Sequence, residues 1–264
     1  MKTSIFDYKL NQDTTGLKLI AVALMIVDHT GAVFFPRLTW MRVVGRIAFP
    51  LFAYCVAVGV RHTRNIWRYG LRFAGLYVIS QPLYMLALSH TLWQMNIFAT
   101  LLLGLIACAG IRFRKEWLAI LTLALALYLS SNNVYGTAVT FDYAFRGVAV
   151  IFVMYMTVND PPVFTAVFSL FCVAWSESLR LNISSFPFED WRLTLSWGSS
   201  SMFLTRAFGQ VIRLQTAAIL ALPFILFPKK ERMTPKTLRI PDKALYFAYP
   251  AHLLVLYIIK ILVR

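Results

Sequence analysis

The chain is poor in charge. Asp, Glu, Lys and Arg together make up 14% of its 264 residues, against about 25% in a soluble domain. Acidic residues are the scarcest of all: 11, against 26 basic ones. Cysteines number three, and Cys55, Cys108 and Cys172 each lie inside an apolar run. An odd count so placed excludes the disulfide framework of a small secreted domain, and the three read as small packing residues. No glycine-rich phosphate loop and no G-x-G-x-x-G fingerprint occurs, so a nucleotide-hydrolysing motor finds no support. No internal repeat or low-complexity segment stands out. No small-residue cleavage pattern follows the polar first fifteen residues, so a removable signal peptide is not expected.

What is abundant is apolar surface: 59% of residues, against roughly 45–50% in soluble domains. It is spread along nearly the whole chain, which excludes a water-soluble enzyme and a disordered protein. The reading is an all-α polytopic membrane bundle, a single integral domain over residues 1–264. A spanning helix needs about 20 apolar residues. Nine candidates lie near Leu17–Phe35, Val43–Val60, Tyr69–Leu88, Ile97–Gly110, Trp117–Leu129, Phe145–Val158, Val163–Leu179, Arg206–Phe227 and Lys243–Val263. Loops between them are short.

The net charge of +15 would suggest nucleic acid in a soluble protein. Here no basic stretch forms a separable domain, so nucleic acid is not an expected partner; the lipid bilayer is. Of the 26 basic residues, 16 cluster at one set of helix ends: Lys2 to Lys18, Arg61 to Arg72, Arg112 to Lys115 and Lys229 to Lys243. The bias places the N-terminus in the cytoplasm and the C-terminus outside.

Ionisable groups within a span are costly, and usually face a cavity or a partner. Asp28 and His29 interrupt LIAVALMIVDHTGAVFF. Lys18 lies eleven residues before His29, about three turns, so the two share a face with the imidazole about 16 Å above the ammonium. The last span repeats the pattern. His252 follows Tyr249-Pro250-Ala251 and stands about 13 Å above Lys243. Two histidines at similar depth either share a reaction centre or hydrogen-bond across helices. Arg46 is the natural counter-ion for Asp28, as an anchor or as a binder of an anion or oxyanion. Gln81, Asn96, Tyr135 and the Asp142-Tyr143 pair mark outer ends of spans, where caps and turns are the ordinary use. The Arg61–Arg72 loop serves topology or captures a phosphorylated ligand. A metal site is not expected: His62 and His90 lie at loop ends, and no carboxylate cluster accompanies His29 or His252. The acidic turn at Glu189-Asp190, among the aromatics Phe186, Phe188, Trp191 and Trp197, is solvated or attracts a cationic acceptor.

Several blocks together resemble the TraX family: LKLIAVALMIVDHTGAVF, GRIAFPLFAYCVAVGVRHTRNIWRYGLR, ISQPLY, NIFATLLLGL, YGTAVTFDYAFRGVAVIF and YPAHLLVLYIIK. They follow the family order and cover roughly two-thirds of the chain. The resemblance places the family's Asp-His on Asp28 and His29, its Gly-Arg on Gly45 and Arg46, and its closing His on His252. Two acids common in chromosomal relatives are replaced, by Val58 and Gln81. It implies a multi-pass protein of the bacterial inner membrane that transfers acetyl from acetyl-CoA to the N-terminus of a pilin, as in conjugation. On that reading Lys18, Arg61, Arg64 and Arg72 hold the phosphates of the co-substrate, and His29 is base or acyl carrier. Asp28 with Arg46 fixes the field, and Asn96, Tyr249 or His252 donates to the oxyanion. The spacing of Lys18 and His29 also resembles that of the membrane acyltransferase-3 proteins. Two rival classes are an O-acetyltransferase of an envelope glycan and a proton-coupled transporter using Asp28 and His29.

Overall fold

The computed structural model describes residues 10–11, 13–131, 140–176, 178–183, 191–196, 204–207, 210–227 and 242–263. Its body is helical. Helix α1 spans Thr14–Phe34, α2 Thr39–Gly45, α3 Ala48–His62 and α4 Ile66–Leu88. After the two-residue strand β1 (Gln94–Met95) come α5 (Ile97–Arg112) and α6 (Glu116–Ser131). Strand β2 (Thr140–Phe141) precedes α7 (Ala144–Thr157) and α8 (Pro161–Ser176). Two antiparallel hairpins follow, β3 (Ser178–Ile183) with β4 (Trp191–Ser196) and β5 (Leu204–Ala207) with β6 (Gln210–Arg213). A 3-10 segment, Leu214–Ala221, leads into α9 (Leu222–Leu226), and α10 (Asp242–Leu262) ends the bundle.

Four segments among the described residues are long and apolar enough to cross a bilayer: Thr14–Phe34, Trp40–His62, Ile66–Leu88 and Leu245–Leu262. Five shorter apolar helices accompany them: Ile97–Arg112, Glu116–Ser130, Ala144–Thr157, Pro161–Ala174 and Gln215–Leu226. The Trp40–His62 segment is the centre of the bundle: 72% of its apolar window is buried, against 28–33% for the other three. Accordingly α3 packs on α1, α5 and α7, while α10 lies between α1 and α4. The three cysteines are free and buried.

Local chemistry explains the breaks. Pro50 sits in the first turn of α3, where its missing N–H is harmless. Its ring crowds the Arg46 carbonyl four residues back, so the segment Trp40–His62 carries a turn at Arg46–Ile47 between α2 and α3, while both residues keep right-handed helical backbone. The segment expected as a helix over Arg206–Phe227 is instead part hairpin, part 3-10 turn and part α9, with Pro223 starting the last piece. Proline fixes φ and lacks the donor that an interior helical position needs, so it starts a helix more readily than it continues one. Likewise α8 ends at Ser176, ahead of a strand, short of the expected Leu179.

Side chains tie the helix starts. Asp13 accepts from the Gly16 N–H at 3.2 Å to cap α1, and Asn65 accepts from the Arg68 N–H at 2.9 Å to cap α4. Asn96 caps α5, accepting from the Phe98 N–H at 2.9 Å. Strands β1 and β2 pair in parallel, Gln94 with Thr140 and Met95 with Phe141, which draws the end of α4 toward the start of α7.

Candidate functional site

A cavity of about 1290 Å³ runs between α1, α3, α4 and α10. Its walls carry Lys18, Arg42, Arg46, Arg146 and Lys260 against the carboxylates of Asp28 and Asp142. Lys18 lies at one end, with its ammonium 5.3 Å from the centre of the Tyr246 ring. His29 and Tyr249 line the wall beyond it.

Asp28 is clasped by two guanidinium groups. Arg46 Nη2 donates to both of its oxygens, at 3.0 and 3.2 Å. Arg42 Nη1 reaches Oδ1 at 3.0 Å and the Asp28 carbonyl at 3.1 Å. The short helix α2 supplies this geometry, since Arg42 and Arg46 lie one turn apart and so face the same way. Gly45 lets the backbone of α2 come close: a Cβ there would overlap the Asp28 carboxylate. The Arg46 guanidinium lies 5.7 Å from the centre of the Tyr143 ring, which stacks on Phe49 at 4.0 Å. Tyr143 and Ala144 both have positive φ, 63° and 48°, a conformation non-glycine residues hold only where the surroundings enforce it.

The two intramembrane histidines meet. His29 Nδ1 lies 2.7 Å from His252 Nε2, and the rings are nearly parallel with centres 5.0 Å apart. His252 Nδ1 lies 3.1 Å from the Ala248 carbonyl oxygen, which can only accept. With both imidazoles neutral, one proton arrangement satisfies these contacts. His252 Nδ1–H donates to Ala248 O, His252 Nε2 accepts, and His29 Nδ1–H donates to it. That leaves the lone pair of His29 Nε2 without a partner in this chain of bonds. His29 lines the cavity, while His252 is buried behind it. Two donors on the same cavity lack partners among the described residues: the buried Tyr249 hydroxyl and Arg46 Nε. Tyr249 stands edge-on to both imidazoles, its ring centre 6.2 Å from that of His29 and 5.2 Å from that of His252.

Other residues singled out from the sequence lie elsewhere. Gln81 Nε2 donates to the Gln94 carbonyl at 2.8 Å, and Gln81 Oε1 accepts from the Asn96 N–H at 2.9 Å. Asn96 Nδ2 donates to the Tyr77 carbonyl at 3.2 Å. Both amides tie α4 to the start of α5 and do not line the cavity; one of the two Asn96 amide N–H groups is engaged by the Tyr77 carbonyl. Arg61 closes on α7, donating to Asn159 Oδ1 at 2.8 Å and to the Tyr155 carbonyl at 2.5 Å, with its guanidinium over the Tyr155 ring. Arg64 and Arg72 are exposed, and neither lines the cavity; of the four basic residues expected to hold phosphates, Lys18 alone does. Tyr135, the Glu189-Asp190 turn and residues 229–239 lie outside the described residues. Among the described residues no group of three or more His, Cys, Asp or Glu side chains gathers.

Sequence reasoning missed Arg42, whose spacing of four from Arg46 was the available signal. It also passed over Lys260, Tyr84 and the cavity placement of Asp142, for which no local pattern speaks.

The model of the family described as TraX protein matches residues 13–260. The chain belongs to the TraX family. Asp28, His29, Arg46 and His252 all fall inside the matched range. A stretch of 72 residues, 26% of this TraX chain and 30% of the relative, is 36% identical to a probable fimbrial assembly protein, FimC of serogroup H1, from Dichelobacter nodosus. Another 38 residues, 14% of this chain and 15% of the relative, are 50% identical to an uncharacterized protein of Rickettsia prowazekii (strain Madrid E). Both matches thus span less than a third of the relatives. No solved structure matches.

Proposed function

We propose that this TraX-family chain is a membrane-embedded acetyltransferase that moves the acetyl group of acetyl-CoA to the N-terminal amine of a pilin subunit. The observation that carries the reading is His29: an intramembrane imidazole on a cavity wall whose other nitrogen is engaged by a second histidine. A hydrogen bond that fixes one imidazole nitrogen sets the tautomer and leaves the other as base. Membership of the family and the partial likeness to a fimbrial assembly protein support a pilus-related setting.

In this reading the chain sits in the bacterial inner membrane with nine spans and a cytoplasmic N-terminus. Acetyl-CoA is the co-substrate and enters at the Lys18 end. Lys18 meets a phosphate there, and the exposed Arg64 and Arg72 assist outside the cavity. Lys18 and His29 line the same cavity, so a thioester arm held at Lys18 reaches toward His29.

The acceptor's ammonium yields one proton to solvent and reacts as the neutral amine. As its nitrogen bonds the acetyl carbonyl carbon, His29 Nε2 takes the second proton. Tyr249 O–H and Arg46 Nε–H, both without hydrogen-bond partners among the described residues, donate to the carbonyl oxygen as it gains charge. The C–S bond then breaks, and His29 returns its proton to the departing sulfur. His252 and the Ala248 carbonyl hold the tautomer throughout. Asp28 keeps the two arginines in place and offsets one of their charges.

The test supplies the purified protein in micelles with isotope-labelled acetyl-CoA and a peptide bearing a pilin N-terminus. The expected product carries the label on the α-amine by mass spectrometry. Label found on a sugar hydroxyl, with none on the peptide, would replace the acceptor class; no label on either would sink the proposal.

A further inference from the structure

Asp142 is the cavity carboxylate that the mechanism above leaves without work. It is fixed from three directions. Its N–H donates to the Met95 carbonyl at 3.1 Å, and its own carbonyl accepts from the Thr100 hydroxyl. Its carboxylate Oδ1 accepts from the Tyr84 hydroxyl at 2.9 Å, and the Tyr84 ring stacks on His90 with centres 4.5 Å apart. The next two residues are held at positive φ. A side chain pinned this closely presents one oxygen, Oδ2, which has no hydrogen-bond partner among the described residues. The side chain remains partly accessible from the cavity.

The nearby cations do not fill that vacancy. Arg42 and Arg46 are closed on Asp28, and Lys260 donates to the Ala87 carbonyl and to Ser89 Oγ at 3.0 and 2.8 Å. Among the described residues no cation comes within salt-bridge distance of Asp142. The two cavity carboxylates are therefore not equivalent: one is saturated by arginine, and the other keeps an open acceptor on the cavity wall. An open carboxylate in a poorly hydrated site favours a guest that brings both positive charge and N–H donors. It disfavours an anionic guest.

We infer that Asp142 is the anchor for the ammonium group of the acceptor, making the Asp142–Tyr84 corner an amine subsite of the same cavity. This rests on the acetyltransferase reading for the fate of the amine, but amine binding itself does not depend on acetyl transfer. The substrate class it selects is a primary amine at the end of an unhindered chain, as a peptide N-terminus offers. An N-acetylated end has no charge and keeps one N–H donor in place of three, so the product leaves.

The experiment measures binding of an alanyl tripeptide amide and of its N-acetylated counterpart to the full-length protein in micelles, with acetyl-CoA titrated separately on the same samples. The wild type is expected to bind the free amine more tightly by about tenfold or more, the size of a charge-assisted hydrogen bond. Asp142→Asn is expected to abolish the discrimination while acetyl-CoA affinity is unchanged, which also reports that the variant is folded. Asp142→Glu, which keeps the charge, is expected to retain part of it. A wild type that does not discriminate, or an Asp142→Asn variant that discriminates as the wild type does, overturns the inference. Acetyl-CoA binding without amine discrimination sinks this subsite alone. Amine discrimination without acetyl-CoA binding sinks the transferase reading and leaves the subsite standing.

Discussion

His29→Gln lowers acetyl transfer by about 10²–10⁴-fold, the usual worth of a positioned general base, and leaves the protein folded. Glutamine can still donate to His252 Nε2, so the contact between α1 and α10 survives. It has no nitrogen lone pair to accept the amine proton. His252→Ala follows from the same chain of bonds with a smaller effect, about 10–100-fold, as expected for a partner that orients rather than reacts. Its loss leaves His29 Nδ1–H without an acceptor and frees the other tautomer, which turns a protonated Nε2 to the cavity. The order of the two effects is the informative part. If His252 were the base, the larger loss would fall on His252→Ala. The check is kcat/KM for labelled acetyl transfer by both variants, with unfolding temperatures measured in the same detergent.

Asp28→Asn destabilises the protein by about 3–5 kcal/mol, the cost of leaving buried charge uncompensated. Two guanidinium groups converge on this carboxylate at 3.0 Å each, with Asp28 and Arg46 side chains only 9% and 14% exposed. Removing the charge between them leaves two cations facing each other in a site that water reaches poorly. Arg42→Gln is the milder change, because Arg46 still holds both oxygens. Replacing all three with apolar residues of similar volume restores much of the stability and none of the activity, since a buried ion pair can be exchanged for packing but not half-removed. Denaturant titration of the purified variants in one detergent decides this. An Asp28→Asn variant as stable as the wild type would show that the clasp is not what joins α1 to α2.

The part of the site that could be read from the sequence is the part with a single physical solution. A carboxylate inside a span needs a cation, and Arg46 stands just across a short connection, so the Asp28–Arg46 pair was legible. Two histidines at equal height in the first and last spans were legible as neighbours, and Lys18 was legible as lying below His29 on one face. Four of the expected spans followed from apolar length. What was not legible depends on how helices turn about their axes. Arg61 has the composition of a phosphate ligand, but α3 presents it to Asn159 and Tyr155. Gln81 and Asn96 each spend their side-chain amides on nearby backbone groups, a pattern set by where β1 folds back. Asp142 reads as a turn residue until Tyr84, 58 positions away, is seen donating to it. Proline shapes one departure from the expected spans: Pro223 starts the closing helix of the eighth, whereas the second lies within the single apolar segment Trp40–His62.

The central claim is that the Lys18-to-His29 cavity takes acetyl-CoA. Calorimetric titration of the detergent-purified protein with acetyl-CoA tests it most directly, with Lys18→Ala as the comparison. The account predicts saturable binding that Lys18→Ala weakens by about tenfold, the size of one charge-assisted phosphate contact. No heat of binding from a protein shown to be folded, together with a pH-dependent solute flux in proteoliposomes, would contradict it and assign Asp28 and His29 to proton-coupled transport.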